Sequence, residues 1–115
     1  MRPHVEIIDQ ADLIWHPGEF PLAEGAAVQK HLAYDEEDGS LSAVVRFDTD
    51  WSRCGGIHHA DTEWFVLSGQ VTIGSEVLTE GGYWMAPKGV VTPAITATKG
   101  TEILLFREYG DWGFE

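Results

Sequence analysis

No stretch of this chain sustains a helical apolar period for long; its apolar residues fall in short bursts closed by Gly, Pro, Asp or Ser. Inside the bursts Val, Ile, Trp, Phe, Tyr and Thr dominate, residues that suit a pleated, half-buried surface. The pattern predicts strands near Val5 to Ile8, Ala27 to Tyr34, Leu41 to Phe47, Gly56 to His59, Glu63 to Leu67 and Val71 to Ile73. Further strands are predicted near Glu76 to Leu78, Gly82 to Ala86, Val90 to Ile95 and Glu102 to Arg107. One short helical turn, capped by Asp9 and running to Leu13, is the sole helical candidate. The run Asp35-Glu36-Glu37-Asp38-Gly39 ends in a hairpin signal, and it lacks the alternating oxygen ligands of a calcium loop. Many short strands with no βαβ alternation imply an all-β sandwich or closed barrel.

A chain of 115 residues with 43% hydrophobic content suits one domain around one core. The formal charge of -12, from 19 acidic residues against 7 Lys and Arg, repels phosphate backbones and anionic lipid, so neither nucleic acid nor membrane is an expected partner. Cys54 is the single cysteine, which precludes an internal disulfide, and no apolar run has the length of a signal core or a membrane span. A cytoplasmic protein is the expectation.

Two segments carry the chemical information: G-G-I-H-H-A-D-T-E-W-F-V-L-S-G at 55–69 and G-G-Y-W-M-A-P-K-G at 81–89. The spacing of Gly81, Pro87 and Gly89 resembles the second motif of the cupin family, and Gly69 matches the glycine that ends the first. The resemblance covers roughly residues 27–107 and implies an all-β cupin jelly-roll barrel of about ten short antiparallel strands, with residues 1–115 as a single domain. In cupins these motifs supply metal-binding His and Glu residues. Counted back from Gly69, Gly56 stands at the first His position, His58 at the second and Thr62 at the Glu. In the second motif Thr92 replaces the His and Thr96 the Asn.

A one-residue slip would instead put His59 and Glu63 at the second His and Glu positions. Side chains four apart share a strand face, so either His58 with Thr62 or His59 with Glu63 would converge. In the register set by Gly69, Thr62, Trp64 and Val66 point into the barrel while Glu63, Phe65 and Leu67 point away. A bulge at His58-His59 would re-aim them. The segment Glu63 to Gly69 is also similar to small single-domain cupins of the ChrR type and of the acetylacetone-cleaving dioxygenase type, in which three His hold the metal and a non-ligand Glu precedes an aromatic pair.

Two functional readings therefore stay open. One is a mononuclear-metal enzyme, a dioxygenase or lyase acting on a small carbonyl compound, with Fe, Mn, Zn or Ni held by His58, His59 and Glu63. The other is a metal-free cupin that binds or senses a small organic molecule through Thr62, Trp64, Tyr83, Thr92 and Thr96. Alternation puts Tyr83 with Met85 on one face and Trp84 with Ala86 on the other. Arg53 is a candidate for gripping a carboxylate or enolate at the cavity rim, against the plainer reading of a surface charge. Cys54 reads as a loop thiol, and His4, His16 and His31 as surface or structural histidines. The aromatic segments Trp15 to Gly18 and Tyr109 to Phe114 would cover the barrel ends or join the homodimer interface that the resemblance implies.

Overall fold

The computed structural model describes residues 9, 11, 13–18, 20–35, 37, 39–108, 114 and 115. Thirteen strands run in chain order: β1 (His16–Gly18), β2 (Ala23–Glu24), β3 (Ala27–Tyr34), β4 (Leu41–Phe47), β5 (Trp51–Arg53), β6 (Gly56–Ile57), β7 (Thr62–Ser68), β8 (Val71–Ile73), β9 (Glu76–Leu78), β10 (Tyr83–Ala86), β11 (Val91–Thr92), β12 (Ile95–Ala97) and β13 (Glu102–Arg107). All pairings are antiparallel. They form a six-stranded sheet in the order β1-β3-β4-β13-β7-β10, a five-stranded sheet in the order β2-β5-β12-β8-β9, and the small pair β11-β6.

Strands fall where the pattern places them at Ala27–Tyr34, Leu41–Phe47, Val71–Ile73, Glu76–Leu78 and Glu102–Arg107. The expected single strand from Val90 to Ile95 is instead two, β11 and β12, belonging to different sheets. Pro93 explains the break, because it has no N–H to give to a ladder. The pattern misses β1, β2 and β5. Pro17 lies in β1, which is the outer strand of its sheet, the place where a proline is tolerated. The predicted strand at Val5 to Ile8 lies outside the described residues, as do residues 10 and 12 of the predicted helical turn; Ala11 N–H does donate to Asp9 Oδ1 at 3.0 Å.

The inner faces of the two large sheets enclose one apolar core of Ala27, Val45, Phe47, Trp51, Trp64, Val66, Val71, Ile73, Ile95, Ala97, Ile103 and Leu105. Its centre is aromatic: the Trp64 ring lies 5.8 Å from Trp51, 6.0 Å from Phe47 and 5.4 Å from Trp84, the last pair edge-to-face. Outside, Trp15 stacks under the ammonium of Lys30 and the guanidinium of Arg46, at 4.3 and 4.5 Å from its ring centre.

Gly69 shows why the motif ends in glycine. It turns the chain from β7 into β8 with φ of +88°, and a Cβ there would stand 2.7 Å from the Cα of Thr101. Thr101 needs that closeness, since its hydroxyl accepts from Gln70 N–H at 3.0 Å and lies 2.9 Å from the Thr98 hydroxyl. The glycine thus pins the β7–β8 turn to the start of β13. That pinning fixes the register of β7, and with it the residues facing the barrel.

Candidate functional site

The inward row of β7 is Thr62, Trp64 and Val66, each at most 1% exposed. Cross-strand pairing continues this parity: Trp84 sits opposite Trp64 and Ala86 opposite Thr62, while Arg107 on β13 also faces Thr62. The inward row of β5 ends in Arg53, which pairs with Ile95 of β12. At this end of the barrel the core changes character. Arg53, His58, Thr62, Thr92 and Arg107 are all buried there, around the rings of Trp84 and Phe114.

Arg53 and His58 form the centre of the cluster. Arg53 Nη2–H donates to His58 Nε2 at 2.7 Å, a direction fixed by the guanidinium having donors only. Accepting at Nε2 leaves the His58 proton on Nδ1. Burial first, then the charges of Arg53, Arg107 and His59, push the His58 pKa down from 6.5 to about 4, so the ring is neutral at physiological pH. The same burial, with Arg107 beside it, lowers the Arg53 pKa to about 10. Arg53 stays charged, yet among the described residues it faces no carboxylate. Its Nε–H and the His58 Nδ1–H, both buried, also have no acceptor among them. Each such unmade hydrogen bond costs on the order of 1–3 kcal/mol.

Phe114 closes the cluster. Its ring centre lies 3.8 Å from the Arg53 guanidinium and 4.9 Å from the His58 ring, with Trp84 5.9 Å from His58 on another side. The backbone around it is tied to β6: Ile57 N–H donates to Glu115 O at 2.6 Å, and Glu115 N–H to Ile57 O at 2.9 Å. Gly56 makes this packing feasible, because a Cβ would stand 2.6 Å from Glu115 O and 2.7 Å from the Phe114 ring. Gly56→Ala is therefore expected to displace Phe114 and to destabilise the fold by about 1–2 kcal/mol. Urea unfolding, together with the NMR shifts of the Phe114 ring, checks both parts.

The three expected metal ligands diverge. His58 faces inward with its Nε2 already taken by a guanidinium. His59 turns outward, 3.0 Å from Glu115 Oε1. Glu63 lies on the outer face of β7 and accepts from the Tyr83 hydroxyl, which raises the Tyr83 pKa. No bulge re-aims the His58-His59 pair to one face, and among the described residues no three His, Cys, Asp or Glu side chains gather in a metal-binding arrangement. A divalent cation would also meet the fixed positive charge of Arg53. The described residues do not fit a metal.

The expected ligand-lining residues divide as well. Thr62, Trp64 and Thr92 face the interior, but the threonine hydroxyls are bound to backbone, Thr62 Oγ1 donating to Ala60 O and Thr92 Oγ1 to Gly56 O, both at 3.0 Å. Tyr83 is on the outer face of its strand, 54% exposed, opposite Phe65. Thr96 is on the outer face of β12, in a surface recess of about 350 Å³ with Leu22, Glu24 and the exposed Cys54. Strand alternation explains both placements: Tyr83 and Thr96 have the opposite parity to the half-buried Trp84 and the buried Ile95 and Ala97. His16 and His31 are exposed, and His4 is outside the described residues.

Arg53, read from the sequence as a surface charge or else a cavity-rim group, is instead 3% exposed and interior. Arg107 and Phe114 were missed as site residues. For Arg107 a signal existed, since it continues the alternation of Ile103 and Leu105.

Among solved structures, the chain is similar to an acetylacetone dioxygenase from Acinetobacter johnsonii, at 15% identity and a TM-score of 0.66, over 93% of this chain and 74% of that one. The polyketide cyclase RemF from Streptomyces resistomycificus matches at 15% identity and 0.67, over 90% and 80%. An RmlC-like cupin from Shewanella frigidimarina matches at 16% and 0.66, over 96% and 97%. At these identities the likeness shows the fold, which is that of the RmlC-like cupins. No curated protein sequence matches. The family model described as a domain of unknown function, DUF4437, matches residues 6–115, so the chain belongs to that family, built on the cupin fold.

Proposed function

We propose that this cupin binds a small organic molecule at the Arg53–His58 end of its barrel without a metal. The observation that carries the reading is the occupation of His58 Nε2 by Arg53, at the position where the sequence alignment of motifs puts a metal ligand. A guanidinium donor there supplies fixed positive charge and N–H groups in the place of a cation. The aromatic walls from Trp84 and Phe114 give a small ligand apolar surface, and the buried N–H groups give it orientation. The relatives named for dioxygenase and cyclase chemistry support a small-molecule role for the same interior.

The test combines metal content and binding. Protein purified without an immobilised-metal column is expected to hold far less than one equivalent of Fe, Mn, Zn or Ni, with no change in His58→Ala. The same metal-poor protein is expected to respond to a panel of small acids, amides and diketones in tryptophan fluorescence, since Trp84 lies against His58. One equivalent of metal that disappears in His58→Ala would overturn the reading.

A further inference from the structure

We infer that the ligand of this interior site is a small planar anion, a carboxylate or enolate, and that Phe114 fills its place when the site is empty. The inference rests on the small-molecule reading above and adds the ligand's charge and the closing group.

Arg53 and His58 are each 3% exposed, and each presents an N–H that meets no acceptor among the described residues. Arg53 Nε–H and His58 Nδ1–H are both donors, so the missing partner is an acceptor. The pair carries one positive charge, and a second guanidinium, Arg107, stands close enough to depress both groups. Arg53, a buried cation near a second guanidinium and facing no carboxylate among the described residues, is in an unfavourable arrangement that an anion reverses. A hydroxyl or amide ligand would accept the hydrogen bonds but leave the charge unbalanced. A carboxylate or enolate meets both needs, and its oxygens make the stronger, charge-assisted bonds.

The walls indicate a flat ligand. Phe114 lies face-on to the guanidinium, with Trp51 5.7 Å and Trp84 5.9 Å from Arg53 and His58 respectively. The ring of Phe114 satisfies the cation only through its π face and accepts neither N–H. Among the described residues, Phe114 and Glu115 pair with His58 and Ile57, and the Glu115 side chain that meets His59 is 75% exposed. An incoming anion therefore competes with Phe114 for the guanidinium face.

The experiment is a calorimetric titration with sodium benzoate, pyruvate and benzamide against the wild type, Phe114→Ala and Arg53→Met. Benzoate or pyruvate is expected to bind the wild type at least about tenfold more tightly than benzamide, the range that a hydrogen-bonded charge gives. Phe114→Ala is expected to tighten acid binding several-fold by removing the competitor. Arg53→Met, which keeps the stem length and removes the buried charge, is expected to stay folded, as urea unfolding checks, and to lose acid binding. Equal binding of benzamide and benzoate, unchanged in Arg53→Met, would overturn the anion inference and leave the small-molecule reading standing. Failure of all three probes on both the wild type and Phe114→Ala would overturn the inference together with that reading. Acid binding weakened by Phe114→Ala would refute the competing role of the ring.

Discussion

Trp64→Ala is expected to destabilise the fold by about 4 kcal/mol, the cost of removing a buried tryptophan from a close-packed core. In a chain of this length that corresponds to a fall of roughly 15 °C in Tm. Trp64 is 1% exposed and touches the rings of Phe47, Trp51 and Trp84, which come from β4, β5 and β10, so it joins both large sheets. Its neighbours cannot collapse inward without leaving their own strand registers, and most of the cavity would persist. Urea unfolding should show a lower midpoint with an unchanged slope, and Trp64→Phe should recover more than half of the loss. A cost below about 1.5 kcal/mol for the alanine variant would show that the barrel interior is loosely filled around Trp64. The consequence for function is direct: a rigid aromatic floor confines any ligand to the polar end, beyond Trp84.

The fold was legible because its apolar residues come in short β-prone bursts and because Gly69, Gly81, Pro87 and Gly89 keep the spacing of the cupin motifs; at Gly69 the structure supplies the physical reason, since a side chain there would strike Thr101. Counting from that glycine put Thr62, Trp64 and Val66 inside, as observed, but left open which of His58 and His59 faces in. The shorter strands escaped notice for particular reasons. Trp51-Ser52-Arg53 presents an arginine at an inward position, where a period-two reading asks for an apolar residue. Pro17 and Gly18 read as turn residues although they lie in the edge strand β1. The site was less legible than the fold because its parts meet only in three dimensions. Gly56, at the first ligand position, looked like a simple loss. Its empty space is filled by Phe114, far along the chain, and no spacing rule connects the two. The alternation of Tyr83 and Trp84 gave two faces without saying which is inner; pairing of Trp84 with Trp64 decides it.

Acidification from pH 7 to pH 4 is expected to cost the fold about 3 kcal/mol through His58 alone, because burial pushes its pKa down from 6.5 to about 4 in the folded chain. The unfolded chain takes up the His58 proton near pH 6.5, whereas the folded chain resists it until about pH 4. Between those values the unfolded state binds more protons, so stability falls as pH falls. The contribution is fully present above pH 6.5, is lost as pH drops through about 4, and does not decline further below. Its physical origin is burial first, then the positive charges of Arg53 and Arg107; protonation would also cost the ring the lone pair at Nε2 that accepts from Arg53. Many carboxylates titrate in the same window, so the comparison is with His58→Gln, whose side-chain oxygen still accepts from Arg53 but does not titrate. The difference in unfolding free energy between wild type and variant should change by about 3 kcal/mol from pH 7 to pH 4, and parallel curves would refute the buried neutral histidine. A bound anion gives the argument a second arm. Negative charge beside His58 favours its protonated form and raises its pKa towards 6.5, so saturating benzoate should flatten the wild-type curve towards that of His58→Gln. The same histidine then reports both on the packing of the barrel end and on the charge of what enters it.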